Sequence, residues 1–135
     1  MAVSQSLRGQ AYVIEKYVTL AASSGTTVGP AVPAGSLVLA AGVEVLAAVP
    51  DVTTYTLDVT DGTTTFANDV SFDAAAAGTI RIGTTAGLVA AADTIDAVTT
   101  ISGSPGTIAA RIFAVVVDVN DSVIKGAAAA RNQLA

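Results

Sequence analysis

The chain has 135 residues, a net charge of −5, and no cysteine, histidine or tryptophan. The lack of cysteine and histidine excludes zinc sites built on them, disulfide frameworks, thiol nucleophiles and histidine-based triads. The length suits one domain. Although 52% of the residues are hydrophobic, the sequence has no unbroken run of about 18 apolar residues, which excludes a membrane-spanning helix.

The charges are unevenly distributed along the chain. Arg8 and Lys16 lie near the start, and Lys125 and Arg131 near the end, whereas residues 17–124 hold ten carboxylates against two arginines. An acidic body argues against nucleic-acid binding, because phosphate contacts need clustered basic side chains. The basic ends either attract an acidic partner or are simply solvated. The start of the chain lacks the pattern of a secretory signal, so synthesis in a host cytoplasm is expected.

Residues 1–10 are polar and show no periodicity, which predicts an N-terminal arm. Within this arm, the candidate contacts to a partner are Ser4, Leu7, Arg8 and Gln10. Residues 11–21 alternate and are rich in β-branched and aromatic side chains, which predicts a strand, and the Ser-, Gly- and Pro-rich residues 22–33 predict a loop.

The most apolar stretch, residues 36–49, predicts a long strand or two in-line strands bent at Gly42. Its alternation places one apolar set on a single face: Leu37, Leu39, Ala41, Val43, Val45, Ala47 and Val49. The rest of the chain has few bulky side chains to cover this face. We therefore expect part of it, including Val43 and Val45, to lie at a subunit interface.

The second half of the chain predicts several shorter strands. Residues 52–60 alternate, and Asp61-Gly62 predicts a tight turn. Residues 63–78 predict a loop with about one helical turn, capped by Asn68 or Asp69 and ended by Gly78.

Short strands are then predicted at residues 79–83 and 94–101, with a loop between them. Residues 102–107 predict a hairpin turn, and residues 108–120 predict the last strand. Apolar residues occur on both sides of this strand, which predicts that it is central in a sheet or contacts another subunit. This strand supplies the other predicted interface residues, Arg111, Phe113, Val115 and Val117.

These elements predict an all-β fold, an antiparallel jelly-roll-like β-sandwich with short arms at both ends. The predicted boundaries are an N-terminal arm at 1–10, the sandwich at 11–121 and a C-terminal arm at 122–135. A core of valine and alanine with only 4% aromatic residues buries little area per residue, which favours an oligomer.

No combination of residues predicts catalysis, so we expect no enzyme activity and no cofactor. Asp51, Asp58 and Asp61 are the candidates for a hard cation, but their spacing does not fit an EF-hand loop and favours a solvated turn. Asp93 and Asp96 have opposite parity in an extended segment, which argues against a glycosidase pair. The Gly-rich residues 103–107 lack the lysine of a phosphate-binding loop.

Two further features carry open alternatives. Tyr12, Tyr17 and Tyr55 either form a platform for sugar stacking or, the favoured interpretation, belong to the core or an interface. Arg111 stands among apolar neighbours and must find carboxylates or carbonyls, in its own chain or in a neighbouring copy.

The run from Val28 to Leu39, with Pro33-Ala34-Gly35 before a strand, resembles the opening of small structural proteins of tailed bacteriophages. Residues 55–59, 93–94 and 106–117 are similar to later parts of those proteins in order and spacing. They are capsid decoration or cement proteins and related head-fibre or tail components. The resemblance implies a jelly-roll-like domain that forms trimers and lies over the junctions between major capsid proteins.

The expected role is therefore a structural virion protein on the capsid surface, a homotrimer that bridges neighbouring major capsid proteins. Neither nucleic acid nor a membrane is expected as a partner. The alternative is a receptor- or carbohydrate-binding domain of a phage tail or head fibre.

Overall fold

The structure is a computed structural model that describes residues 10–51 and 54–118. These residues form eleven strands: β1 (Tyr12–Leu20), β2 (Gly25–Thr27), β3 (Ala31–Val32), β4 (Ser36–Val45), β5 (Thr54–Thr60), β6 (Thr65–Ser71), β7 (Ile80–Ile82), β8 (Gly87–Val89), β9 (Asp93–Thr94), β10 (Asp96–Ser102) and β11 (Ile108–Asp118). None of the described residues is helical, so the predicted all-β class is confirmed. No helix in these ranges is long and apolar enough to cross a membrane.

The strands form two main antiparallel sheets. The first sheet has the order β1-β11-β4-β7, with β8 also paired to β4, and the second has the order β2-β10-β5-β6. Strands β3 and β9 form a separate pair. Pairing is nested along the chain: the first long strand pairs with the last, β2 with β10, β4 with β7 and β8, and β5 with β6.

A single apolar core lies between the two sheets. Alternate residues of β5, namely Tyr55, Leu57 and Val59, point into it from the second sheet, as the sequence alternation predicts. Ile112 and Val43 enter it from the first sheet. The core is built mostly from valine, alanine and isoleucine, with Phe66, Phe72 and Tyr55 as its largest fully buried side chains.

Strand β11 occupies the centre of the first sheet, between β1 and β4. The prediction of a central position is confirmed. Its even-numbered residues from Ile108 to Val116 are buried in the core. Its odd-numbered residues therefore point to the other side of the sheet, away from the core.

The predicted single apolar face of β4 is wrong. Val116 pairs with Val38 and Val115 pairs with Ala40, so Leu39 is an extra residue in the ladder. A bulge of one residue reverses the side-chain alternation beyond it. Val43 and Val38 consequently both point into the core, while Leu39 is exposed. Gly42, the predicted site of a bend, lies within the regular part of the strand.

The helical turn predicted within residues 63–78 does not form, and the loop predicted there is wrong for residues 65–71. The Asp61-Gly62 turn does connect two strands, but the chain after it returns as β6, paired with β5. Register irregularities in this pairing, and a positive φ of 49° at Asp69, interrupt the alternation that would have indicated a strand. The alanine-rich residues that follow form turns, with a positive φ of 88° at Gly78.

The connection at residues 102–107 is not a hairpin. It leads from β10 in the second sheet to β11 in the first sheet, so it crosses from one layer of the sandwich to the other. Local turn chemistry, with positive φ at Gly103 and Gly106, is the same for both kinds of connection. The predicted loops at 22–33 and 84–93 also contain the short strands β2, β3 and β8 and the start of β9.

The domain boundaries stay predictions. The N-terminal arm, apart from Gln10, and the C-terminal arm lie outside the described residues, as does the end of the sandwich at 119–121.

Candidate functional site

The largest candidate surface is the side of the first sheet that points away from the core, here called the outer face. It carries the odd-numbered residues of β11 and the residues that pair with them in β1, β4, β7 and β8. Residues directly opposite each other in an antiparallel pair point to the same side of the sheet. The pairing register therefore defines the composition of the outer face row by row.

Two rows at one end of the outer face are entirely apolar. In the first row, Val117 pairs with Leu37, which pairs with Leu88. In the second row, Val115 lies between Val13 on β1 and Ala40 on β4. The edge positions are the most open, because the side chains of Val13 and Leu88 are 58% and 56% exposed.

The next row is apolar across β7, β4 and β11. Ile82 pairs with Gly42, and Gly42 pairs with Phe113. Gly42 has no side chain, and the Phe113 ring fills the space above it: a Cβ at this glycine would lie 3.0 Å from Phe113 Cζ. Phe113 is therefore only 8% exposed although it points away from the core.

The third feature of the outer face is an ion-pair network across three strands. Arg111 on β11 donates from Nε to Glu44 Oε1 on β4 at 3.0 Å and from Nη1 to Glu15 Oε2 on β1 at 2.8 Å. Its guanidinium also lies 4.6 Å from the centroid of the Phe113 ring, a cation–π distance. Burial alone would lower the pKa of Arg111, but the hydrogen bonds to Glu44 and Glu15 outweigh this and raise it.

The sequence left open whether Arg111 pairs within its own chain or with a neighbouring copy. Both of its carboxylate partners belong to its own chain. Because the network uses positions on three neighbouring strands, it fixes their side chains relative to one another. It also places two carboxylates and one guanidinium on the outer face, in the rows of Phe113 and Arg111.

The structure divides the predicted interface residues between two places. Arg111, Phe113, Val115 and Val117 lie on the outer face. Val43 and Val45 have no exposed surface and pack in the core, so a second chain cannot bury them further. The reason is the β4 alternation: these valines point to the opposite side of the sheet from the outer face.

Sequence reasoning missed the contribution of β7 and β8 to this face. Ile80, Ile82 and Leu88 are all exposed apolar residues on three-residue strands. Segments this short show almost no alternation, so only their pairing with β4 identifies the side of the sheet on which their side chains lie. Val13, Glu15 and Tyr17 of β1 also lie on the outer face, because each pairs with an odd-numbered residue of β11.

The predicted arm contacts cannot be placed, except for one residue. Ser4, Leu7 and Arg8 lie outside the described residues. Gln10 is exposed just before β1 begins. The contact role of all four stays a prediction.

Four of the five carboxylates singled out from the sequence accept hydrogen bonds from backbone amides, and Asp51 is exposed. Asp61 Oδ1 accepts from the N–H groups of Thr63 and Thr64 at 2.9 and 2.6 Å and closes the β5–β6 turn. Asp58 accepts from the Asp69 N–H at 2.7 Å.

Asp93 and Asp96 likewise accept from the N–H groups of Thr94 and Gly29. Within residues 10–51 and 54–118, no three acidic, histidine or cysteine side chains are grouped as a metal site.

The three tyrosines do not form a sugar-stacking platform. Tyr55 is fully buried in the core. Tyr12 and Tyr17 are exposed on β1, but they have opposite parity and lie on different sides of the strand. Tyr17 belongs to the outer face, next to Arg111 in the register.

A second, smaller feature is a shallow groove of about 560 Å³ between β1 and the segment leading to β3. Ile14 and Lys16 form one wall, and Val28 and Pro30 form the other. Its floor includes Gly29, whose N–H donates to Asp96. The groove has a mixed apolar and charged lining, and among the described residues no group of side chains around it is arranged for catalysis.

Comparison with known proteins gives a match at the level of structure. No protein-family model and no curated protein matches the sequence. One similar structure is a chain from the acidic stable capsid structure of Helicobacter pylori bacteriophage KHP30, with a TM-score of 0.55 and 13% identity over 81% of this chain and 93% of that chain. Another is a chain from the cyanophage Pam1 capsid asymmetric unit, with a TM-score of 0.56 and 15% identity over 80% of this chain and 84% of that one.

At these identities the similarity concerns the fold. The chain shares its β-sandwich fold with chains from two bacteriophage capsid structures. The resemblance to phage structural proteins that the sequence indicated is thus confirmed for the fold.

Proposed function

We propose that this chain is a structural protein of a bacteriophage virion, a capsid decoration or cement protein without enzyme activity. The observation that carries the proposal is the outer face: an apolar, rigidly held sheet surface on a fold shared with chains of two phage capsid structures. Apolar surfaces of this extent on soluble domains mark interaction sites. A fold of this kind with such a surface suits a protein that works by binding other proteins.

The proposed architecture is a jelly roll. The two main sheets have eight strands when the separate β3–β9 pair is left out and β7 and β8 are taken together as one strand. In this set the first strand pairs with the eighth, the second with the seventh, the third with the sixth and the fourth with the fifth. This nesting describes an antiparallel ribbon rolled into two sheets, and viral capsid domains are among the proteins that use it.

The proposed assembly is a homotrimer on the capsid surface that bridges neighbouring major capsid proteins. The terminal arms, including Ser4, Leu7, Arg8 and Gln10, would lie on the shell and hold adjacent subunits together. Simultaneous binding of three linked arms makes weak individual contacts tight. The acidic body would face outward, which keeps the decorated particle soluble.

The proposal is tested by mixing the purified full chain with empty capsids of the phage that encodes it, prepared without this protein. Light scattering is expected to give the mass of a trimer, and co-sedimentation is expected to show saturable binding. Cryo-electron microscopy of the complex then places the density on the shell. A monomer that does not bind capsids would overturn the proposal. Binding to glycans instead of capsids would favour the fibre-domain alternative.

A further inference from the structure

We infer that the outer face is buried against the outer faces of neighbouring copies of this chain. This inference rests on the proposed function and deepens it, because it names the partner that covers this surface. The major capsid protein would then be contacted by other parts of the chain.

The size of the outer face matches what a stable protein interface needs. It is four strands wide and follows the 11 residues of β11, which gives roughly 700 Å² at about 4.8 Å per strand and 3.3 Å per residue. Standard interfaces bury about 800 Å² on each partner. The face is therefore close in extent to the surface that one partner buries in a standard interface.

The charge arrangement allows contact with a copy of the same face. The carboxylates of Glu15 and Glu44 are already paired with Arg111 inside the chain. The network has two carboxylates against one guanidinium, and the Glu15 side chain is 45% exposed, so contact between copies must leave this charge accessible to solvent. The rows of Val115 and Val117 hold no charged side chain and provide the apolar part of the contact.

The side chains next to the network are of the kind that dominate binding energy. Tyr17 is 66% exposed beside Arg111, and Phe113 is held flat below the guanidinium. Tyrosine and arginine are enriched at the residues that contribute most to protein–protein affinity. Arg111 is prepositioned by its intramolecular ion pairs, so less of its side-chain freedom is lost on association.

The β1 edge of the first sheet is a poor alternative for self-association. β1 lies at one end of this sheet, and Lys16 in its middle pairs with Ile112, which points into the core. Lys16 therefore lies on the inner side of the edge strand, and an inward-pointing charge at an edge opposes the addition of another strand. This favours association through the face over association through β1.

Availability also favours a second copy. An apolar surface of several hundred Å² promotes aggregation when it is left in water. A neighbouring copy is the one partner present at the concentration of the chain itself, from synthesis onward. Burial between copies also compensates for a core built from small side chains.

The test compares two valines that are similarly exposed but lie on different surfaces of the domain. Val13 lies on the outer face, and Val28 lies in the groove away from it, at 58% and 52% exposure. We expect Val13→Asp to weaken self-association at least tenfold in sedimentation equilibrium, and Val28→Asp to leave it unchanged. Leu88→Asp, at the other edge of the face, is expected to act like Val13→Asp. Circular dichroism checks that all three variants keep the wild-type fold.

The outcomes separate this inference from the proposed function. Loss of self-association in Val13→Asp and Leu88→Asp supports the inference, even if the wild type fails to bind capsids and the proposed function falls. A wild-type assembly unaffected by both substitutions overturns it. A monomeric wild type whose capsid binding is lost in Val13→Asp, but not in Val28→Asp, also overturns it, because the face would then contact the shell directly.

Discussion

Replacing Tyr55 by phenylalanine should stabilise this protein. The Tyr55 side chain is fully buried, and its hydroxyl has no hydrogen-bond partner among the described residues. The backbone at this position is held independently, since the Tyr55 N–H donates to Asp73 Oδ1 at 2.6 Å and its carbonyl accepts from the Phe72 N–H at 2.7 Å. The substitution therefore removes one oxygen atom and disturbs no other contact.

The magnitude follows from two opposing contributions. Burying a hydroxyl without a partner costs about 1–3 kcal/mol, which the phenylalanine variant avoids. The small space left by the oxygen costs roughly 0.3 kcal/mol at about 24 cal/mol per Å³. We expect the free energy of unfolding to rise by about 1 kcal/mol, or Tm by roughly 3–6 °C for a domain of this size.

The pH dependence gives a second readout. Burial raises the pKa of Tyr55 from 10.0 to about 12. In the unfolded chain the phenol loses its proton near pH 10, while the folded state keeps it until about pH 12. The unfolded state thus binds fewer protons in this window, so stability is fully present below pH 10 and is lost as the pH rises, by up to about 3 kcal/mol. The phenylalanine variant lacks this loss.

The assay is urea unfolding at equal protein concentration, at pH 7 and across the alkaline range. Tyr12→Phe is the control, because its hydroxyl lies on an exposed strand and the change should stay within about 0.5 kcal/mol. A Tyr55→Phe protein that is less stable than the wild type at pH 7, or that loses stability above pH 10 as steeply, would refute the reasoning.

Two other substitutions test the construction of the outer face. Gly42→Ala should cost about 2 kcal/mol or more, because its Cβ would overlap the β7 backbone, whereas Gly25→Ala, with open space around it, should be neutral in the same unfolding assay. Arg111→Met should cost about 1–3 kcal/mol, since it leaves two carboxylates without their shared partner. Equal stability of Arg111→Met and the wild type would contradict this expected loss. Double-mutant cycles with Glu44→Gln and Glu15→Gln should show that Arg111 is coupled more strongly to Glu44, whose side chain is less exposed than that of Glu15.

The class of fold follows from local alternation. Residues of β5 and β10 alternate clearly, because one side of each strand packs in the core and the other meets solvent. Strand β11 was identified as central by the opposite pattern, because its apolar residues occur at both odd and even positions. In each case the signal lies within one strand and needs no knowledge of its neighbours.

The errors arise where a neighbouring strand decides the outcome. The extra residue at Leu39 exists only relative to the β11 ladder, so the sequence of β4 alone places it on the wrong side. The helix-like residues near Asp69 extend as β6 because β5 supplies hydrogen bonds. The connection at 102–107 has the chemistry of a hairpin turn, yet its two ends belong to different sheets.

By itself, the sequence determined an all-β domain without cysteine or histidine, with an apolar composition that favours association. It also identified Arg111 as a residue in need of carboxylate or carbonyl partners. Only the tertiary structure decided that Glu15 and Glu44 of the same chain supply them, and that Val43 and Val45 belong to the core. The physical reason is that a side chain's surroundings depend on strand pairing and sheet packing, and these contacts join residues far apart in the chain.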